Sequence, residues 1–248
     1  MIRVDGAELK GLSPQQTAAL VQRRLTRRAD DLDDWRSTDR LPTIAALDDL
    51  LPAGLPRGAV VNYQGSMTVL LGMLAEASKS GLMTATVNLP ARPGSTAGLL
   101  AAHEMGAQLS NIAVVTAPPQ RTIEVLNIAV DGLALVIADP GAATLPPSIA
   151  KVLVRRAHQH ECTLVLANGQ HRCPGSDLDM SAKCIATEGL GRGRGYLRAQ
   201  HFTVDVVGKG GWRASSVLRL GAQAGRPGTT WTTVTPAAQV IGLPARTG

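Results

Sequence analysis

Short apolar runs alternate with amphipathic segments between residues 59 and 167 of the chain. The runs are rich in β-branched residues and short enough to be buried strands. They predict strands at residues 59–63, 82–87, 112–116, 133–138 and 162–167. Helical spacing of apolar residues predicts helices near residues 68–80, 96–107, 120–130 and 147–161. Repeated strand–helix units need crossover connections, so the pattern predicts an α/β fold with a largely parallel sheet flanked by helices.

The pattern changes after residue 168, where Gly and Arg become frequent. Alternating apolar and polar positions predict strands near residues 199–207, 212–220 and 230–235. Without helices between them, these strands are expected to be antiparallel. The sequence therefore predicts a parallel core followed by an antiparallel C-terminal extension.

The residues before the first strand predict a helical arm outside the core. Ser13 is placed as an N-cap, Pro14 as the first helical residue and Gln16 as the partner in a capping box. The helix is amphipathic and basic, and it extends to about residue 30. We divide the chain into an N-terminal helical arm and linker, a core with its β extension, and a flexible tail, at residues 1–43, 44–235 and 236–248.

Composition narrows the classes of function. The chain has 248 residues, of which 44% are hydrophobic, so it can bury a full core. Aromatic residues make up only 2%, which disfavours single-strand nucleic-acid binding by base stacking. The net charge of +6 favours an acidic partner, either nucleic acid or an acidic protein surface.

Cysteine content and hydropathy predict the compartment. Three cysteines do not make a disulfide framework, and the odd number favours a reducing environment. No apolar run approaches the roughly 18 residues of a membrane span, and the N-terminus lacks a signal-peptide pattern. We therefore expect a cytoplasmic protein with no membrane partner.

The turn after the first strand has the strand–turn–helix order of a phosphate-binding loop but lacks the residues that bind phosphate. An apolar strand passes through a glycine turn into an apolar helix, as in such loops. A working loop has about four residues between two glycines, then Lys and a hydroxyl residue. Here Gly65, Ser66 and Thr68 follow one another too closely, and no lysine follows. We interpret them as vestigial and predict no cofactor and no catalytic residue.

Two further residues have a functional and a structural interpretation. Asp139 follows an apolar run, so it could coordinate magnesium through water or simply cap the end of a strand. Thr68 could imitate the magnesium-binding hydroxyl or serve as a helix N-cap. In both cases the structural role is the simpler expectation, because no lysine is present to hold a nucleotide.

Five residues of zinc-binding type lie near the strand at 162–167: His158, His160, Cys162, His171 and Cys173. The predicted strand separates the first three from the last two by roughly 17 Å. The sequence therefore predicts no metal site.

Basic residues dominate the stretch from residue 189 to residue 226, where Asp205 is the single acidic residue. The candidates for partner or DNA binding are Arg192, Arg194, Arg198, Lys209, Arg213 and Arg219. Arginine can meet phosphates or pair with carboxylates at protein interfaces. A protein partner, the DNA backbone and a merely solvated face remain the alternatives.

Three stretches of the chain resemble the RecA recombinase core. Residues 46–58 resemble the segment that leads into its phosphate-loop strand, and residues 133–139 resemble its Walker B strand. Residues 164–172 resemble the strand that leads into a DNA-binding loop, although Gly169 is inserted. The resemblance covers about residues 44–220 and implies a RecA-like fold.

The departures from RecA point to one branch of that group. The Gly-Lys-Thr signature is missing, and Asn88 stands at the end of the second strand, where RecA-like ATPases place a catalytic acid. A chain of this size with a degenerate loop is most similar to ImuA and the actinobacterial ImuA′, accessory proteins of SOS-induced mutagenesis.

The resemblance implies a non-catalytic adaptor in translesion DNA synthesis, located at the nucleoid when it is engaged in repair. Its implied partner is ImuB, an inactive Y-family polymerase homologue. RecA, an error-prone polymerase and a weak contact with the DNA backbone are further candidates. Two alternatives stay open: a RecA-fold inhibitor similar to SulA that binds a cytoskeletal GTPase, and a nucleotide-dependent enzyme with an unrecognised site.

Overall fold

One mixed sheet runs through the described part of the chain. A computed structural model describes the following residues: 39–48, 50–51, 54–89, 98–141, 145–167, 172–189, 195–222 and 228–234. The predicted N-terminal helix and C-terminal tail lie outside these residues. The proposed domain boundaries therefore stay a prediction.

The sheet has nine strands among the described residues. They are β1 Val60–Gly65, β2 Thr84–Val87, β3 Ile112–Val115, β4 Leu135–Ala138, β5 Thr163–Ala167, β6 Leu178–Glu188, β7 Ala199–Gly208, β8 Arg213–Ala222 and β9 Thr229–Thr233. Their order across the sheet is β3-β2-β4-β5-β1-β6-β7-β8-β9. Pairs from β3 through β1 to β6 are parallel, and β6 to β9 are antiparallel.

Five α-helices accompany the sheet in the described residues. They are α1 Ala45–Asp48, α2 Met67–Lys79, α3 Leu99–Glu104, α4 Thr122–Gly132 and α5 Pro147–Gln159. Short 3-10 turns at Leu109–Asn111 and Pro119–Arg121 precede β3 and α4. The predicted fold class is confirmed: the fold is α/β, the sheet is largely parallel in its first part and flanked by helices, and its last strands are antiparallel.

The parallel strands β2, β4 and β5 are buried on both faces, whereas the edge strand β3 is partly exposed. On one face α4 and α5 pack against Val136 and Leu164, and Leu153 of α5 lies in the same cluster. The alternate β4 residues Leu135 and Ile137 are also buried, on the opposite face. Helix α2 contacts β2 and β4. Burial on both faces explains why these strands are continuous apolar runs.

Strand β6 is the element that the sequence analysis missed. The sequence analysis assigned no element to residues 168–198, where the structure has this strand. Residues 178–182 alternate buried and more exposed positions, but residues 183–187 are all exposed. The exposed half has no apolar alternation, so the sequence pattern does not indicate a strand there.

Candidate functional site

The junction between β1 and α2 is closed. Ser66 is the only residue between the end of β1 at Gly65 and the start of α2 at Met67. The Ser66 backbone N–H donates to the carbonyl oxygen of Ala182 on β6, at 2.8 Å. Gly65 has a φ of 120°, and a Cβ at this position would overlap that same carbonyl. Strand β6 therefore packs directly against the turn where a phosphate-binding loop would stand open.

The first turn of α2 is capped from within the chain. The Ser66 Oγ accepts a hydrogen bond from the Thr68 backbone N–H at 3.3 Å, so Ser66 is the N-cap. The expectation that Thr68 is the N-cap is therefore wrong; Thr68 donates to the cap. The Tyr63 hydroxyl donates to the Ser66 carbonyl at 2.6 Å, and burial raises the pKa of Tyr63. The Ser66 and Thr68 N–H groups, which could have faced an anion, are thus occupied.

Asn88, directly after β2, forms side-chain hydrogen bonds to the segment that leads from β3 into α4. It has a φ of 56°, a left-handed conformation that asparagine tolerates better than most residues. Its Oδ1 accepts from the Ala117 N–H at 2.7 Å, and its Nδ2 donates to the Thr122 hydroxyl at 3.3 Å. An amide has no basic oxygen to deprotonate water. Asn88 therefore positions the segment that leads into α4.

Asp139 has a local structural partner. It follows β4, is 8% exposed, and accepts a hydrogen bond from the Gly141 N–H at 2.8 Å through Oδ1. Its own N–H donates to the Val87 carbonyl. Within the described ranges, no group of three or more His, Cys, Asp or Glu side chains is placed to hold a metal ion. These contacts match the strand-end interpretation of Asp139.

The histidines considered as zinc ligands contact carboxylates instead. His158 Nε2 lies 2.8 Å from Asp177 Oδ2, and His160 Nε2 lies 3.4 Å from Asp131 Oδ1. His171 lies outside the described residues.

The two cysteines of that set are buried. Burial raises the pKa of the Cys162 thiol to about 12 and that of Cys173 to about 11. Both thiols are therefore neutral at physiological pH when no metal is bound.

The structure separates the basic residues of the C-terminal half into two groups. Arg198 and Arg219 lie near the turn between β6 and β7, whereas Lys209 and Arg213 lie at the turn between β7 and β8. At a rise of about 3.4 Å per residue, Arg213 and Arg219 on β8 are roughly 20 Å apart. Arg192 and Arg194 lie outside the described residues. The candidates that are described therefore do not form one compact basic patch.

Arg219 is neutralised by a neighbouring carboxylate. It donates two hydrogen bonds to Glu188, at 2.9 and 2.8 Å, and His201 Nε2 lies 2.6 Å from the same carboxylate. The bonds from Arg219 and then His201 lower the pKa of Glu188 to about 2. Arg219 is thus a structural cross-strand partner rather than a free cation.

Lys209, which directly follows β7, forms an ion pair with the buried Asp177. Its Nζ lies 3.7 Å from Asp177 Oδ1, and Asp177 has a side chain only 4% exposed. Asp177 also accepts from the Val60 N–H at 2.9 Å and contacts His158. Burial raises the pKa of Asp177, but the bonds from His158 and the Val60 N–H and the nearby charges lower it overall.

A cavity with a mixed polar and apolar lining lies where β1, β6 and β7 adjoin. Its lining includes Asn62, Gln64, Arg172, Asp179, Ser181 and Asp205. The Asn62 amide donates to Asp179 Oδ1 at 2.8 Å and to Ser176 at 2.9 Å. Arg172 pairs with the other oxygen of Asp179 at 2.9 Å. Much of the lining is therefore satisfied by contacts within the chain.

Sequence reasoning missed an exposed apolar group near the turn between β6 and β7. Tyr196 is 89% exposed, Ile185 52% and Leu197 50%. We call residues 183–189 and 195–201 the hairpin tip. A signal was present in the sequence: Tyr196 is one of two tyrosines in a chain poor in aromatics, and it directly follows a stretch of sequence rich in glycine and arginine.

None of the helices in the described ranges combines the length and apolar character of a membrane crossing.

Comparison with known proteins identifies the family. The chain is 35% identical over 156 residues to the uncharacterized protein Rv3395c of Mycobacterium tuberculosis, an alignment that covers 58% of this chain and 74% of that protein. A family model described as the MT3502 N-terminal domain matches residues 49–175, just over half of the chain. The chain therefore belongs to the MT3502 N-terminal domain family.

Proposed function

We propose that the chain is a non-catalytic adaptor with a RecA-like fold, acting in SOS-induced mutagenic translesion DNA synthesis. The closed junction between β1 and α2 is the observation that carries this proposal. A nucleotide phosphate needs several free backbone N–H groups at this point. Instead, the Ser66 N–H donates to Ala182 and the Thr68 N–H donates to Ser66.

Two other positions support the absence of ATP hydrolysis. Asn88 replaces the acid that would activate water, and its amide is engaged with Ala117 and Thr122. Asp139 bonds to the N–H of Gly141. The three features involve different elements and different residue types, so drift at one position does not explain them together.

The segment at residues 46–58, which carries the resemblance to RecA, has a packing role that needs no nucleotide. Leu47 and Leu55 are fully buried. Gly58 has a φ of 82°, and a Cβ there would lie 3.3 Å from the His158 Cα. Such a segment can persist for the fold alone. This supports a protein that retained the scaffold of a RecA-like ATPase and uses it for binding.

The proposed partner is an ImuB-type protein, an inactive homologue of Y-family polymerases. RecA, an error-prone polymerase and the DNA backbone are further candidates. This identification rests on the resemblance of the chain to ImuA and ImuA′. The pI of about 9.7 is compatible with either an acidic protein surface or nucleic acid.

The first experiment tests the nucleotide site. Isothermal titration of the purified chain with ATP and magnesium should give no measurable heat of binding, and a phosphate-release assay should give no turnover. The Asp139→Ala variant should be indistinguishable from the parent in both assays. ATP hydrolysis that Asp139→Ala abolishes would contradict the proposal.

The second experiment tests the adaptor role. The chain and the ImuB-type protein of the same organism should co-elute as one complex in size-exclusion chromatography. A division GTPase from that organism serves as the comparison, because a SulA-like inhibitor would bind it instead. Elution of the ImuB-type protein alone, with the chain bound to the GTPase, would refute the adaptor role.

A further inference from the structure

Strand β6 extends well beyond its neighbour β1. The last pair between the two strands joins Gly65 to Ala182, whereas β6 continues to Glu188. From residue 183 to residue 188, β6 pairs with β7 on one side. No strand in the described part of the chain pairs with its other side. The hairpin tip therefore presents an open strand edge.

The backbone bonds show which β6 residues face this edge. The Ala182 carbonyl accepts from the Ser66 N–H and so points toward β1, whereas the Glu188 carbonyl accepts from the Arg198 N–H and points toward β7. Because successive residues of a strand point to opposite sides, Thr187 directs its backbone N–H and carbonyl to the open edge. A bulge between Cys184 and Ala186 interrupts the register with β7.

Contacts within the chain hold the backbone of the hairpin tip, where three apolar side chains are exposed. Tyr196, Ile185 and Leu197 are each at least half exposed. The Arg198 N–H bonds to Glu188 at 2.9 Å, and Gly189, with a φ of 88°, packs against the Tyr196 backbone carbonyl. Exposed aromatic and aliphatic side chains on a fixed backbone are typical anchors of protein interfaces, because little conformational freedom is lost on binding.

The exposed charges of the hairpin tip favour an acidic partner. Glu188 is paired with both Arg219 and His201, so its negative charge is balanced. Lys183 and Arg198 are exposed and have no ion-pair partner among the described residues. The tip is therefore cationic. This charge opposes edge-to-edge pairing with a second copy of the chain and favours an acidic segment.

We propose that the open edge of β6 at the hairpin tip is a docking site for an extended acidic segment of a protein partner. The segment adds as a strand along residues 183–188, with the Thr187 backbone as one of its hydrogen-bonding partners. Its carboxylates meet Lys183 and Arg198, and its apolar residues meet Ile185, Leu197 or Tyr196. The identity of the natural partner rests on the proposed adaptor function; the peptide site does not.

A synthetic probe tests the site in the full-length chain. The probe is a fluorescein-labelled peptide of about twelve residues that alternates valine with glutamate, the pattern of a strand-forming acidic segment. Fluorescence anisotropy should show saturable binding. A peptide of equal length that alternates valine with lysine should bind at least about tenfold more weakly, because its charge matches that of the tip.

Two matched pairs of variants locate the binding. Thr187→Pro removes an N–H at the open edge and leaves the β7 ladder intact, so it should weaken binding about tenfold. Thr187→Ala keeps the N–H and should bind like the parent. Arg198→Glu should also weaken binding about tenfold, whereas Arg213→Glu, the same charge change at the other end of the sheet, should change it less than about twofold.

Thermal unfolding of each variant confirms that it folds; if Thr187→Pro does not fold, the pair at Arg198 and Arg213 decides. Equal binding by the parent, Thr187→Pro and Arg198→Glu would overturn the proposal. So would a single-stranded oligonucleotide that displaces the peptide and depends on Tyr196, because the tip would then be a nucleic-acid surface. If the probe binds as expected but the ImuB-type protein forms no complex, the docking site stands and the adaptor function fails.

Discussion

The parallel and antiparallel halves of the sheet differ in how far their residues are exposed to solvent. Strands β2, β4 and β5 are buried at every position, and the polar residues that follow β2 and β4, Asn88 and Asp139, bond within the chain. In β7 and β8, buried positions alternate with more exposed ones, so one face of this half meets solvent. Charged groups such as Lys183 and Arg213 are exposed there.

This difference assigns different tasks to the two halves. In the parallel half, the strand ends where nucleotide-binding folds place their ligands are closed by Ser66, Asn88 and Asp139. In the antiparallel half, an open strand edge and unpaired cations are available. We therefore expect binding at the antiparallel half, with the parallel half as its rigid support.

Gly65→Ala should have the largest effect on the closed junction. The added Cβ would overlap the Ala182 carbonyl, and the φ of 120° disfavours any residue with a side chain. We expect a loss of about 3 to 4 kcal/mol in the free energy of unfolding, measured by urea denaturation. Gly81→Ala is the matched control: its φ is 86° but nothing lies within 4 Å of the added Cβ, so the loss should be about 1 kcal/mol. Equal losses for the two variants would mean that the junction can open.

Asp177→Asn should have the second largest effect, because Asp177 joins the two halves. The carboxylate accepts from the Val60 N–H of β1 and contacts Lys209 beyond β7. Removal of its charge should cost about 2 to 3 kcal/mol, since hydrogen bonds to a charged, buried carboxylate are stronger than those between neutral groups.

The pH dependence of unfolding gives an independent check on Asp177. Its pKa is lowered in the folded protein, so its contribution to stability is present above the ordinary carboxyl pKa and is lost as pH falls through the lowered value. The parent should therefore lose stability below the ordinary carboxyl range more steeply than Asp177→Asn does. Parallel pH profiles would show that Asp177 does not contribute in this way.

Asn88→Ala should cost less, about 1 to 2 kcal/mol, because it removes the hydrogen bonds to Ala117 and Thr122. Asn88→Gly loses the same bonds but relieves the φ of 56°, so it should be the more stable of the two variants. Urea denaturation of both measures the difference. The reverse order would indicate that backbone conformation at this turn is not under strain.

Arg219→Gln should have the smallest effect on stability and a clear effect on titration. Without the two bonds from Arg219, the pKa of Glu188 should rise from about 2 toward the ordinary carboxyl range. The depressed pKa means that this contribution is present above the ordinary range and is lost only as pH falls through about 2. Carboxyl-carbon NMR measures the shift, and Arg213→Gln is the control that should leave Glu188 unchanged.

The sequence predicts the parallel half well because its strands are aliphatic runs. Burial on both faces makes the runs of β4 and β5 continuous and easy to recognise, and the helices between the strands follow from spacing. The N-cap at Ser66 was assigned to Thr68, because a sequence pattern does not show that β1 continues to Gly65. A difference of two residues in where the strand ends thus decides which hydroxyl caps the helix.

The antiparallel half depends on register, which a single sequence does not show. The bond between Arg219 and Glu188 requires that β8 and β6 each pair with β7 in a particular alignment. The bulge between Cys184 and Ala186 shifts that alignment within β6. For this reason Arg219 was a candidate for partner binding in the sequence analysis, although the structure pairs it within the chain.

The contact between Ser66 and Ala182 also has a mechanical meaning. It joins the first turn of α2 to Ala182, the last residue of β6 that pairs with β1. A force applied at the hairpin tip is therefore transmitted to the hydrogen bond between Ser66 and Ala182. The amide hydrogen of Ser66, a half-buried residue whose N–H is bonded to Ala182, should therefore exchange with solvent more slowly whenever a partner is held at the tip.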